Sequence, residues 1–302
     1  MKTARKILVA FILNLAFSVF ELIGGMMTGS VSIMSDAVHD LGDAASIGIS
    51  YFLEKKSRKA PDEKYTYGYG RYSVLGSLIT TLVLLLGSVL MIIHAIDRIL
   101  HPRSIHYQGM MLFAVVGVGV NVCAAFFTRE GGSLNQKAVN LHMMEDALGW
   151  IVVLVGAVVM RFTDVALIDP LLSIGVSLFI LIHACRNLKE IMDFFLEKTP
   201  HDLDLSEIRA HIEEMDGVQD VHHIHLWSMD GQNHYATLHL VCVEAPAAMK
   251  AKIREELREC GVGHVTIEME SGAEHCEERF CRPEMETHAG HCSHHHHSHH
   301  VH

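Results

Sequence analysis

Two pairs of residues in this chain stand where charge is hardest to place. His39 and Asp43 are four apart in one apolar stretch, and His142 and Asp146 are four apart in another. On a helix that spacing stacks both side chains on one face, one turn apart. An ionisable group at the bilayer centre costs at least about 2.5–3.5 kcal/mol on insertion scales, so such groups face a bundle interior and mark ion or proton paths. Two facing helices of this kind bring two imidazoles and two carboxylates together, a donor set that suits tetrahedral zinc. With neutral imidazoles the set carries two negative charges, which balance one divalent cation. When the set is empty the carboxylates repel and their proton affinity rises, and imidazole titrates near neutral pH. Ligands that shed protons to take metal couple metal entry to proton release. Polar glue between helices explains one such residue more easily than the same pair twice. Asp36, almost two turns from Asp43, is expected to line a vestibule if it takes part, and Asp40 and Glu145, which point away from the ligand face, to serve helix contacts or the cytoplasmic path. Asn14 and Asn121 read as interhelical hydrogen bonders.

The elements that must position these pairs are membrane helices. The chain has 302 residues, half of them apolar, and a mean hydropathy of +0.25. The apolar residues gather before about residue 185, so a membrane domain is followed by a soluble one. A span needs about 20 mostly apolar residues. Six segments qualify: roughly 7–28, 31–53, 74–100, 108–128, 138–160 and 165–185. The second and fifth are the weakest by hydropathy because they carry the charged pairs. With both termini placed in the cytoplasm, the inside segments hold Lys2, Arg5, Lys6, Lys55, Lys56, Arg58, Lys59, Lys64, Arg71, Arg129 and Lys137. The outside loops hold Arg98, Arg103 and Arg161, a positive-inside distribution. The expected location is a multi-pass integral membrane protein with cytoplasmic termini, in the plasma (inner) membrane if the source is bacterial. No cleavable signal sequence is expected, because the first apolar run is long enough to span.

Charge divides the chain in the same place. Residues 186–302 carry 10 Lys and Arg against 22 Asp and Glu, and nine of the 24 histidines fall in residues 288–302. An acidic region of this kind repels nucleic acid and attracts cations. The seven cysteines lack the spacing of a secreted disulfide framework, which points to a reducing compartment.

The soluble part reads as a helix at 205–214 capped by Ser206, strands at 218–228 and 234–243, a helix at 246–260 and a strand at 264–270. The order αββαβ implies a small ferredoxin-like α+β sandwich with two helices on one face of three strands. Strict alternation along the first strand puts Val221, His223 and His225 on one face, and His222, Ile224 and Leu226 on the other. The organisation is thus a transmembrane domain over 1–185, a linker over 186–203, a cytoplasmic domain over 204–272 and a disordered tail over 273–302. The tail, AEHCEERFCRPEMETHAGHCSHHHHSHHVH, is acidic and rich in metal-ligating side chains. His275, Cys276, Cys281, Cys292, His294, His295, His296 and His297 form a metal-capturing set there. Interruptions by Ser and Val, and the cysteines before them, separate this tail from a purification tag.

Taken together the motifs resemble the cation diffusion facilitator family, in its zinc-transporting branch. The resemblance rests on SDAVHDLGDA (35–44), HMMEDALG (142–149), YTYGYGRYS (65–73), VHHIHLW (221–227) and HVTIEME (264–270), nearly the whole chain. It implies a homodimer that exchanges a cytosolic divalent metal for protons by alternating access, with His39, Asp43, His142 and Asp146 as transport ligands. His39 favours zinc over cadmium, and a manganese-type member would carry Asp where His142 stands. It also implies a regulatory zinc held by His222, His239 and one of Glu268 or Glu270 at a dimer interface. Surface histidines on a solvated sheet are the alternative there. Two departures stand out. Glu145 replaces the usual Gly before the fifth-span Asp. Tyr65 and Tyr69 stand where some bacterial relatives place histidines of a second metal site, so this segment reads as an ordered turn into the third span.

The expected function is therefore zinc–proton antiport that exports cytosolic zinc, with an antiporter of cadmium, cobalt, nickel or iron as the alternative. A metal sensor without transport needs no ligands at bilayer depth. A membrane metalloenzyme needs an open coordination position and a base such as HExxH supplies, and the sequence has no such motif, so no enzyme is expected.

Overall fold

The computed structural model describes residues 2–28, 31–101, 107–129, 133–163, 168–242 and 246–270. Six long helices come first: α1 (Lys2–Thr28), α2 (Val31–Ser57), α3 (Arg71–Leu100), α4 (Tyr107–Thr128), α5 (Leu134–Thr163) and α6 (Ile168–Phe195). A small α+β unit follows: α7 (Leu205–Glu213), β1 (Val218–Ser228), β2 (His234–Cys242), α8 (Pro246–Glu259) and β3 (Val262–Glu270). The helix that begins near residue 168 runs on to Phe195, so most of the segment 186–203 continues the sixth helix.

The helical part is built inside out relative to a water-soluble bundle. Asn14, Ser18, Glu21, Asp43, Ser46, Ser50, Ser77, Thr80 and His142 are buried between helices, while Leu86, Leu112 and Phe126 stand 62%, 63% and 72% exposed. Apolar side chains on the outside and polar ones within fit a hydrocarbon solvent. Among the described residues, four stretches are long and apolar enough to cross a membrane: Thr3–Gly24, Arg71–Asp97, Met111–Thr128 and Leu134–Gly156. The last contains His142, Glu145 and Asp146, so these charges do not erase its hydropathy. Buried apolar contacts tie the helices in patches. Ile7 and Ala10 of α1 meet Ile47 of α2, Ala124 of α4, and Val139 and Met143 of α5.

In the small unit β2 lies between β1, its antiparallel partner, and β3, its parallel partner. Ile208 and Ile212 of α7, and Ile253 and Leu257 of α8, share one core with Val221, Leu226, Leu238, Leu240 and Ile267. The cap of α7 is Asp204 rather than Ser206. The Asp204 side chain accepts from the Ser206 backbone N–H at 2.8 Å, and Ser206 already lies within the first turn. A carboxylate suits that place because it also meets the positive end of the helix dipole.

Strict alternation fails in β1. Val221 and Leu226, an odd number of positions apart, both enter the core. The pairing with β2 shifts between His222 and His225, and His223 takes a left-handed backbone with φ of 50°. One extra residue in the strand reverses the side-chain phase beyond it.

Candidate metal centre

Helices α2 and α5 deliver the site. Asp43 and His142 are each less than 5% exposed. The His142 Nε2 lies 3.7 Å from Asp43 Oδ2, and 3.9 Å from Asp146 Oδ2 on the next turn of its own helix. One ligand atom from each of the three lies within 4.8 Å of the others, close enough for a single ion to touch all three. Both ring nitrogens of His142 make no hydrogen bond among the described residues. An imidazole buried that deeply without a hydrogen bond is poised to give a lone pair to something else. The α2 backbone puts His39 one turn before Asp43, but the His39 side chain lies outside the described residues, as does that of Asp36.

A second layer supports the carboxylates. The Asn14 amide of α1 donates to Asp146 Oδ2 at 3.5 Å. The Ser18 hydroxyl lies 3.3 Å from Asn14 Oδ1, which turns the Asn14 NH2 toward Asp146. The reading of Asn14 as an interhelical hydrogen bonder thus acquires a specific partner. Glu145 points elsewhere: its Oε1 accepts from Ser88 of α3 at 3.1 Å. Glu21, 1% exposed on α1, was not among the sequence candidates. An acid within the first apolar stretch was the signal that could have found it.

In the small unit the β1 bulge gathers histidines on the open face of the sheet. His222 pairs directly with His239, and their rings are 5.6 Å apart. His223 stacks on His239 at 4.7 Å and meets His225 at 5.0 Å. Glu270 bridges the group, with Oε2 3.3 Å from His222 Nε2 and Oε1 accepting from His239 Nδ1 at 2.6 Å. His222, His239 and Glu270 can together hold a metal ion, two imidazoles and one carboxylate being a borderline-soft set. Among the described residues Glu268 approaches only His239, at 3.4 Å, and its side chain is 69% exposed. Burial, with His223 and His239 alongside, pushes His225 below its usual pKa. The tail residues His275, Cys276, Cys281, Cys292 and His294–His297 lie outside the described residues.

The turn at 59–70 is held together by hydrogen bonds to Asp62. Asp62 accepts from the backbone N–H groups of Lys64 and Tyr65, from Tyr69 Oη at 2.6 Å and from Lys59 Nζ at 2.8 Å. Tyr67 then reaches the small unit, edge-on to Trp227, Tyr235 and His264 at 5.4–6.3 Å. Neither Tyr65 nor Tyr69 brings a histidine ligand to this turn.

Comparison with known proteins settles the family. Residues 7–195 match the model of the cation efflux transmembrane domain, and residues 200–272 that of the cation efflux protein cytoplasmic domain. The chain belongs to the cation diffusion facilitator family. Its small unit is the family's cytoplasmic domain. Among relatives, a cadmium, cobalt and zinc/H(+)-K(+) antiporter of Bacillus subtilis is 31% identical over 97% of this chain and 96% of its own length. The zinc transporter ZitB of Escherichia coli is 32% identical over 88% of this chain and 87% of its own. The metal cation efflux system protein CzcD of Cupriavidus metallidurans is 29% identical over 88% and 86%. The protein is thus a multi-pass membrane protein of a divalent-cation efflux family, with a helical membrane domain and an α+β cytoplasmic domain.

Proposed function

We propose that this protein is a homodimeric zinc–proton antiporter that exports zinc from the cytosol by alternating access. The observation that carries the reading is the buried meeting of Asp43, His142 and Asp146 between α2 and α5. With His39 as the fourth ligand, the set would be tetrahedral and its charge would balance one zinc ion. Metal ligands must be deprotonated to bind, so metal entering such a set displaces the protons it holds. All six long helices would span the bilayer, with both termini in the cytoplasm. The ferredoxin-like cytoplasmic domain would dimerise and hold a regulatory zinc on His222, His239 and Glu270, and the tail would capture further metal. The Bacillus relative is named for cadmium and cobalt as well as zinc, and for potassium beside protons. That favours a second reading in which this site accepts several divalent ions, with potassium as an additional counter-ion.

The test is zinc uptake into proteoliposomes under an imposed proton gradient, with cadmium, cobalt, nickel and manganese in parallel and potassium replaced by sodium. Uptake that ignores the proton gradient would overturn the antiport. A stronger response to potassium than to protons would favour the second reading.

A further inference from the structure

A row of polar residues on α2 leads from Asp43 toward the end of the helix that carries Glu54. Asp43, Ser46, Ser50 and Glu54 are spaced three or four apart, so they share one face of the helix. All four are less than 5% exposed. At the far end Glu54, with Arg58, Ser73, Asp230, Gln232 and Asn233, lines a cavity of about 440 Å³ between the membrane helices and the cytoplasmic domain. Eleven residues of helix place Glu54 roughly 16 Å from Asp43.

Between the cavity and the site the row is blocked. The Ser50 hydroxyl donates to Asn135 Oδ1 at 2.7 Å, and Asn135 Nδ2 donates back to the Ser50 carbonyl at 2.9 Å. Thr80 of α3 sits 2.8 Å from Ser50 Oγ and can donate to it. Ser50 lies two turns beyond Asp43 on α2, and Asn135 two turns before His142 on α5, so the pair bridges the two ligand-bearing helices one level below the site. The bridge is fitted closely. A Cβ at Gly76 of α3 would stand only 2.8 Å from Asn135 Oδ1. Ser46, on the site's side of the bridge, has a buried hydroxyl with no hydrogen-bond partner among the described residues.

We infer that the α2 face from Glu54 to Asp43 is the cytoplasmic entry path for the cation, and that the Ser50–Asn135 bridge is its closure. The inference rests on the transport reading above. A bridge of neutral hydrogen bonds suits a closure because each contributes only about 0.5–1.5 kcal/mol net, so tilting α5 against α2 can exchange them for contacts with a passing hydrated ion. Ser46 then offers an oxygen to the ion between the bridge and Asp43.

The test is thiol labelling at the site's side of the bridge. In Ser46→Cys, a membrane-impermeant maleimide on the cytoplasmic face should label position 46 slowly, read by peptide mass spectrometry. Adding Asn135→Ala should speed labelling about tenfold or more, while zinc uptake loses its dependence on an opening step and KM and kcat change by different factors. Gly76→Ala, which pushes on Asn135 rather than removing it, should act the same way. Ser50→Ala gives the same comparison if Asn135→Ala does not fold. Labelling at 46 that is equally fast with and without the bridge, in a protein that transports, would overturn the closure. A wild-type protein that moves no zinc would instead overturn the transport reading, so the two failures are distinct.

Discussion

His142 Nε2 and Asp43 Oδ2 lie 3.7 Å apart although their helices are separated by 99 positions of sequence. Only the packing of α2 against α5 brings them together, so the cluster exists only in the folded membrane domain.

Removing a carboxylate from this cluster leaves one charge to face a divalent ion. Asp43→Ala and Asp146→Ala should each cut zinc flux in proteoliposomes by more than about 100-fold, since a lost charge in low dielectric is worth several kcal/mol. Each variant should still elute at the position of the wild-type protein. Normal flux from either would refute the assignment.

His142→Asp replaces a nitrogen donor with a third carboxylate. Oxygen sets favour manganese over zinc relative to imidazole sets. The ratio of zinc to manganese uptake should fall at least tenfold, measured with both ions competing in one preparation. An unchanged ratio would show that His142 does not set the choice of ion.

On the sheet, His222→Ala and Glu270→Ala should each lower the zinc bound to the protein by one ion per protomer, counted by equilibrium dialysis, while transport continues with altered apparent affinity. Glu268→Ala, whose side chain is largely in solvent, should leave the count unchanged.

Much of this was visible in the chain itself, for identifiable reasons. The spacing of His142 and Asp146 and the hydropathy of α1, α3, α4 and α5 are local properties, and among the described residues both appear where expected. The order of the five elements in the cytoplasmic domain does too. The first strand was harder to read. Its bulge depends on His223 adopting a left-handed backbone, and nothing local in the run of alternating residues requires one. The cap of α7 was missed because Asp204 and Ser206 are both strong capping residues and only the observed turn chooses between them. The Ser50–Asn135 bridge was hidden for a different reason. Serine and asparagine within apolar helices usually serve as general glue, and a pairing 85 residues apart has no sequence signature.

Asp62 gives a pH dependence with a definite sign. Hydrogen bonds from Lys59 and Tyr69 hold its carboxyl well below the usual carboxylate range. A depressed acid adds stability that is complete above its ordinary pKa, about 3.9, and is lost as pH falls through the lower folded value. Protection of the Lys64 and Tyr65 amides from hydrogen exchange, corrected for intrinsic rate, should therefore stay flat from pH 5 to 8. Asp62→Ala should remove it at every pH in that interval. Protection that climbs steeply between pH 5 and 8 would contradict the mechanism.

The seating of Tyr67 among Trp227, Tyr235 and His264 gives the molecule a lever. The stapled turn that carries Tyr67 leaves directly from the end of α2, and from Ser57 back to Asp43 the helix runs roughly 21 Å as a stiff rod. A rocking of the cytoplasmic domain by about 5° at that fulcrum would swing Asp43 by roughly 2 Å, about half of its present distance to His142. On the proposed regulatory zinc site, metal bound far from the membrane would set the aperture of the transport site by torque through this single seat.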